Sequence, residues 1–366
     1  MGAQTQPTPS RPVPTLDALP SPPPGKTGWP WTSASDPVPE QWPDGEPQPE
    51  VSVVTPSYNQ GGFVEETIRS VLLQGYPNLE YIVMDGGSTD GTVEILEKYD
   101  PWIDHWVSEP DEGQTHAINK GFQRASGDAV TWLNSDDILL PGALGAAASR
   151  LFDDPDCDAV FGHVRLIDER SALTGRYTAA SPQLSAMLQR WHNPLPQQGF
   201  LMRRTVYEDC GPFDERLDFP MDLEYWIRCL RNGKTFAVVD RDLGGFRVHD
   251  GSKTQDQHRQ FTRDMVDVVK RVREETDDET MRALCEQSLH ERYYNATLNA
   301  YAWEQSQLVR RYARKDWTKR GPAALLSSVP YAILSLLPDQ GAGLRWLYLG
   351  LRRRVLDLFS QRRFPE

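Results

Sequence analysis

VSVVTPSYNQGGFVEETIRSVLLQGYPNLEYIVMDGGSTDGT, Val51 to Thr92, decides the fold. VSVV is a β-branched apolar run that empties into Pro, Ser, Tyr and Asn, which reads as a buried strand and its exit loop. GGFVEETIRSVLLQ follows with helical spacing of Val64, Ile68, Val71 and Leu72. LEYIVMD is a second buried strand ending at Asp85, GGSTDGT a glycine-rich turn, and TVEILEKY a second helix. Strand and helix alternating in this rhythm imply right-handed crossovers and a mostly parallel sheet.

Downstream the rhythm continues. WIDHWVSE reads as a third strand, THAINKGFQRA as a third helix and GDAVTWLNSDD as a fourth strand. In such sheets ligands lie beyond the carboxyl ends of the strands. Three of those ends carry polar clusters: Thr55 to Asn59, Asp85 to Asp90, and Asn134 to Asp137. Side by side at one sheet edge, they predict a single site.

Composition bounds the rest. The 366 residues are 39% hydrophobic and 25% charged, enough to bury a sizeable core. A net charge of -13 gives no reason to expect nucleic acid as a partner. Cys157, Cys210, Cys229 and Cys285 form no CxxC pair, which argues against a zinc site and a disulfide framework and fits a reducing compartment. The N-terminus has no apolar run of the signal-peptide kind, so a cytoplasmic setting is expected.

Four segments are expected. Residues 1–48 are rich in Pro, Ser, Thr and Gln and read as a linker or arm, with Trp29, Trp31 and Trp42 able to dock on the domain. Residues 49–254 carry the strand and helix patterns, in two halves near 49–140 and 141–254. Residues 255–320 form a helical extension, as the apolar spacing in FTRDMVDVVKRVREE indicates. Residues 321–366 are apolar and basic. From Val309 onward there are 12 basic and 4 acidic residues, a local +8 on an acidic body. GPAALLSSVPYAILSLLP is too short to span a bilayer, and Pro330 interrupts it. LRWLYLGLRRRVLDLF then reads either as an interfacial helix or as a helical cap, and peripheral membrane contact is the expectation.

Val51 to Thr92 followed by NSDD resembles the family 2 glycosyltransferases, and the match runs from about Val51 to His249. The resemblance implies a GT-A-like α/β fold, with helices flanking the sheet and a helical C-terminal extension; it makes 49–254 a catalytic domain, with a nucleotide-sugar half near 49–140 and an acceptor half near 141–254. It also implies an inverting transfer of a sugar from a nucleotide diphosphate to a glycan or lipid-linked acceptor, in surface polysaccharide assembly. A divalent metal, Mn or Mg, is implied as well. Such an ion neutralises a diphosphate leaving group and takes oxygen ligands from one or two carboxylates plus phosphates.

By resemblance, Thr55, Pro56, Tyr58 and Asn59 match the first nucleotide loop. Asp85 is the nucleobase contact, with Ser88 and Asp90 close by. Gly113 in DEGQTHAINKG would allow close approach to the donor, and Lys120 would supply a positive charge where many relatives have Arg in place of Ile118. The family's Asp-x-Asp reads Asn134-Ser-Asp-Asp here, which leaves open which acid holds the metal. Asp137 is assigned to the metal and Asp136 to the ribose or a shared role. In GPFDERLDFPMDLEYWIR, Asp222 matches the catalytic base, with Met221 where Glu is common and Glu224 as a competing acid. His249 in GGFRVHDGSKT matches a metal or diphosphate contact, flanked by Arg247 and Lys253, two cations expected to neutralise phosphate, and Trp191 lies where an acceptor loop is expected.

Each assignment has a plainer reading: a helix N-cap for the acid pairs, an Asx turn for Asp85, a core ring for Tyr58, a solvated Lys120. Two rival functions also stand. A nucleotidyltransferase would want a basic residue in the loop after the first strand, and TPSYNQGGF has none. A catalytically silent sugar-binding or scaffold protein would have no need of Asp137, Asp222 and His249 together.

Overall fold

The computed structural model describes residues 12–189, 193–217, 220–249 and 258–302. Trp191, Lys253 and the tail from 303 lie outside these residues. The chain divides into Met1–Met265 and Val266–Glu366.

The first unit is built on β1 (Val51–Ser57), whose seven residues are all buried. It pairs in parallel with β2 (Leu79–Asp85) and β4 (Ala129–Trp132), and β2 pairs in parallel with β3 (His105–Ser108). The crossovers are α1 (Val64–Leu72), α2 (Thr92–Tyr99) and α3 (Gln114–Arg124). These are the elements the hydrophobic periodicity predicts.

Beyond β4 the sheet becomes mixed. The remaining strands are β5 (Ile138–Leu139), β6 (Ala159–Ile167), β7 (Leu173–Tyr177), β8 (Phe200–Arg203) and β9 (Phe236–Arg247). The order is β3-β2-β1-β4-β8-β6-β9-β5, with β7 beside β6. β8 runs antiparallel to both β4 and β6, while β6 and β9 are parallel. The two-residue β5, directly after Asp137, pairs antiparallel with Gly244 and Gly245 of β9. That short ladder brings the acid turn to the end of β9. The helices of this half are α4 (Ala143–Phe152), α5 (Leu184–Gln189), α6 (Arg204–Cys210) and α7 (Met221–Arg231).

The Pro-rich arm is docked rather than free. Leu19 and Trp31 are buried, and Trp29 Nε1 donates to Leu139 O at 2.9 Å. Proline-rich chain has few N–H groups to make a ladder of its own, but its carbonyls still need donors. Buried Arg69 supplies them, reaching Pro20 O at 2.8 Å, Pro30 O at 3.1 Å and Trp31 O at 3.0 Å. Of the nine residues of α1, only Glu65 escapes burial, and the arm supplies apolar cover. Trp42 is only half-buried.

From residue 258 the chain forms α8 (His258–Glu275) and α9 (Glu279–Ala302). Val268, Val269, Val272, Cys285 and Leu289 are buried. No helix among the described residues is long and apolar enough to cross a membrane.

Candidate active site

Ser57 of β1 is paired with Asp85 of β2, so the two exit loops leave the sheet side by side. They are stitched together. Asn59 N donates to Ser88 Oγ at 2.7 Å, and Thr89 N donates to Asn59 Oδ1 at 2.9 Å. Gly61 N donates to Asp90 Oδ2 at 2.8 Å, while Thr92 Oγ1 and N reach Asp90 Oδ1. Burial pushes the Asp90 carboxyl up, but these donors outweigh it and hold it below its ordinary value. Asp90 is thus a staple between loops. A Cβ on Gly61 would stand 2.7 Å from Asp90 O, so the close approach needs glycine.

Asp85 is buried. Its Oδ2 accepts from Ser88 N at 2.8 Å, Gly87 N at 3.2 Å and Ser108 Oγ at 2.6 Å, and its Oδ1 accepts from Ser88 Oγ. The residue shapes the turn into which β2 empties. Thr55 and Pro56 are buried, with Thr55 Oγ1 3.1 Å from Tyr81 OH. Tyr58, by contrast, is 62% exposed at the loop crest, so it is not a core ring. Gly113 takes φ +113 before α3, a conformation an L side chain resists, and its N–H is held by Asp111. Lys120 is paired with Glu109.

The acid turn follows β4. Thr67 Oγ1 of α1 donates to Ser135 O at 2.9 Å and Asp137 O at 2.7 Å, fixing its backbone. The adjacent carboxylates then diverge. Asp137 is fully buried: Oδ1 accepts from Arg247 N at 2.9 Å, and Oδ2 from Gln198 Nε2 at 3.0 Å and Asn134 Nδ2 at 3.2 Å. Burial, and then the neighbouring Asp136, push the Asp137 carboxyl well above its ordinary value. Asp136 retains 20% side-chain exposure, and its Oδ2 stands 3.1 Å from His249 Nε2. The His249 ring packs on Phe63 with centroids 4.8 Å apart.

Two ligands at right angles on bonds of about 2.1 Å are separated by roughly 3 Å, so Asp136 and His249 fit one small divalent ion. Among the described residues no third His, Cys, Asp or Glu joins them. Phosphate oxygens and water are the usual complement of such a half-site. Of the two acids, Asp136 is the one placed to hold such an ion, because Asp137's oxygens are spent on buried donors; the sequence left the choice open and assigned Asp137.

Asp222, the acid that the resemblance matches to a catalytic base, belongs to α7. Asp222 Oδ2 accepts from Asn193 Nδ2 at 2.8 Å, and Oδ1 from Leu223 N at 2.7 Å. Burial pushes its carboxyl up. The rival acid Glu224 is bound at 2.9 and 3.1 Å to Arg228, four residues on, and the same arginine donates to Pro212 O. Met221, which stands where the family motif commonly has Glu, receives Thr115 Oγ1 on its sulfur at 2.8 Å.

Several residues were not found from the sequence. Gln197 links Asn134 to Trp132 O, Gln198 holds Asp137, and Asn193 holds Asp222, so residues 193–198 connect acid turn and base. Gln114 Nε2 reaches Asn134 Oδ1 at 2.6 Å and ties the first residue of α3 to the same network. Arg247 is not open to phosphate as expected. It is fully buried, and Glu66 lies against it at 3.2 Å. The one available signal was an excess of polar residues on α1, whose regular apolar spacing masks it.

Residues 52–211 match the sequence model of Glycosyl transferase family 2. The chain carries a family 2 glycosyltransferase domain. Over 215 residues the chain is 27% identical to an uncharacterized glycosyltransferase of Nostoc sp. (strain PCC 7120), covering 54% of this chain and 65% of the relative. It is 45% identical over 94 residues to TuaG of Bacillus subtilis, a glycosyltransferase named for teichuronic acid biosynthesis, covering 25% of this chain and 37% of that one. The chain thus spans less than two-thirds of the length of these curated relatives. Among solved structures, S. aureus TarS residues 1–349 with UDP-GlcNAc superposes with a TM-score of 0.56 at 19% identity, covering 78% of this chain and 89% of that one. The mannosyltransferase PcManGT of Pyrobaculum calidifontis, with GDP-Man and Mn2+, gives 0.53 at 20% identity, covering 87% and 84%. At this identity the likeness establishes the fold, the GT-A-like α/β architecture that the family resemblance implied.

Proposed function

We propose that the protein is a metal-dependent, inverting glycosyltransferase that moves a sugar from a nucleotide diphosphate sugar to a glycan or lipid-linked acceptor. Surface polysaccharide assembly is the setting we assign, supported by the likeness to TuaG and to the TarS fold. The observation that carries the reading is the division of acids: Asp136 faces His249 beyond β4, while Asp222 is held by Asn193 at the start of α7. A bound Mn or Mg ion would supply charge neutralisation at the diphosphate, held by Asp136 and His249. The stitched loops carrying Tyr58, Asn59, Asp85 and Ser88, with Gly113 behind them, bind and orient the nucleotide. Exposed Tyr58 gives a base a face to stack on.

Asp222 takes the proton from the acceptor hydroxyl as that oxygen attacks the anomeric carbon, opposite the departing diphosphate. Burial raises its affinity for that proton, which suits a general base. Lys120 serves the loop through its pair with Glu109. The basic tail would bring the enzyme to an anionic membrane surface at the cytoplasmic face, which flotation with anionic liposomes checks.

The test is a thermal-shift panel of UDP- and GDP-sugars with and without Mn²⁺, since a ligand of the native state raises its stability. A shift that needs both nucleotide-sugar and metal supports the reading. No shift with any nucleotide-sugar, with or without metal, sinks it.

A further inference from the structure

The two residues facing the metal position are 113 positions apart in the chain, and something must keep them together. Pairing of β5 with β9 brings their segments close. Arg247, the last residue of β9, completes the connection in two ways. Its backbone N–H holds Asp137 Oδ1 at 2.9 Å, and its Nε holds Asp136 O at 2.7 Å. The remaining guanidinium nitrogens reach Asp168 O at 3.0 Å, Ser171 Oγ at 2.9 Å and Glu66 Oε2 at 3.2 Å. Ser171 Oγ in turn donates to Glu66 Oε1 at 2.6 Å. Glu66 and Arg247 are both buried.

We propose that the buried Glu66–Arg247 pair is a positioning device that sets how tightly Asp136 and His249 hold a divalent cation. The inference rests on reading those two residues as the metal ligands. A buried ion pair is a poor source of stability, because apolar residues of similar volume usually serve as well. What apolar residues cannot do is address several acceptors in a fixed plane, as a guanidinium does. Here that plane pins the main chain of Asp136 while the same residue's amide pins the side chain of Asp137. With its own backbone fixed and its neighbour locked, Asp136 has little freedom except about its side-chain torsions, which aim it at His249. Glu66 fixes the guanidinium from α1, and Ser171 bridges the two charges. Groups that orient a metal ligand in this manner typically change metal affinity by about 10–100-fold when removed.

The test uses the full chain and titrates Mn²⁺ in the presence of UDP or GDP, reading free Mn²⁺ by electron paramagnetic resonance, with melting in EDTA alongside. Glu66→Gln keeps the shape and removes the charge, and it is expected to weaken Mn²⁺ binding about tenfold. Ser171→Ala removes only the bridging hydroxyl; a loss of about threefold, with a melting temperature in EDTA close to wild type, is expected. A folded variant of either kind that binds Mn²⁺ as tightly as wild type overturns the proposal. If Glu66→Gln does not fold, Ser171→Ala decides alone, on the same two outcomes. His249→Ala separates the layers. If it binds Mn²⁺ like wild type, the metal reading itself fails, and this inference with it.

Discussion

Asp136 Oδ2 stands 3.1 Å from His249 Nε2, while the carboxylate of Asp137, one residue along, is sealed among Arg247 N, Gln198 and Asn134. Buried donors have claimed the second of these adjacent acids and left the first facing the histidine. Substituting each therefore has different consequences. Asp136→Asn should bind Mn²⁺ and turn over far more weakly while melting near wild type, because its side chain is partly exposed. Asp137→Asn retains one acceptor oxygen where three donors converge, leaving buried groups unmatched at a cost of about 1–3 kcal/mol. Its main deficit should be in stability. Melting curves in EDTA beside Mn²⁺ titrations check both; a stable, metal-blind Asp137→Asn would restore the opposite assignment.

The loops of this site were legible because each follows a strand whose apolar run stops abruptly, at Ser57, Asp85 and Trp132. The order of the two acids was not legible. Adjacent positions on a turn have no periodicity to tell in from out, and the deciding donors come from Gln198 and Arg247, 61 and 110 residues away. Glu66 escaped notice for the same reason, its partner lying 181 residues off. Docking of the arm was legible in its tryptophans, and Trp29 and Trp31 do pack on the domain, but the sequence does not say that Arg69 receives the arm's carbonyls.

That docking makes a stability prediction. Trp31→Ala removes a buried indole from the arm, and loss of a large aromatic from a core costs about 3–5 kcal/mol. Arg69→Ala strands the carbonyls of Pro20, Pro30 and Trp31 and should be at least as damaging. Urea unfolding with residual activity measured at each step is the check. If a chain starting near residue 49 melts like the full protein, the arm contributes nothing to the fold.

The competition between Asp222 and Glu224 also resolves into measurable terms. Glu224 is committed to Arg228, which in turn caps the carbonyls of Cys210 and Pro212. Glu224→Gln should lower stability and keep most turnover. Asp222→Asn should bind donor normally and lose about 10² to 10⁴ in rate, the usual contribution of a general base. The measurement is kcat with donor Kd for both variants. An active Asp222→Asn beside a folded but dead Glu224→Gln would exchange their roles.

Asp222 also predicts how pH acts. Burial raises its carboxyl in the folded protein, and the donors Asn193 Nδ2 and Leu223 N only partly oppose this. The base must be ionised to accept a proton, so kcat should fall as pH drops through an apparent value above the ordinary Asp value of about 3.9. Stability has the opposite sign. A folded pKa above the unfolded one means the native state binds the proton more tightly. The resulting stabilisation is fully present below the unfolded value and is lost as pH rises through the folded value. Asp222→Asn never carries the charge. Its melting temperature relative to wild type should therefore move in the variant's favour as pH climbs from about 3 to 8. Paired melts across that range, with kcat of wild type at each pH, test both halves. A melting difference that is flat with pH would mean that Asp222 titrates as an ordinary solvated carboxylate, and the argument for its proton affinity as a base would go with it.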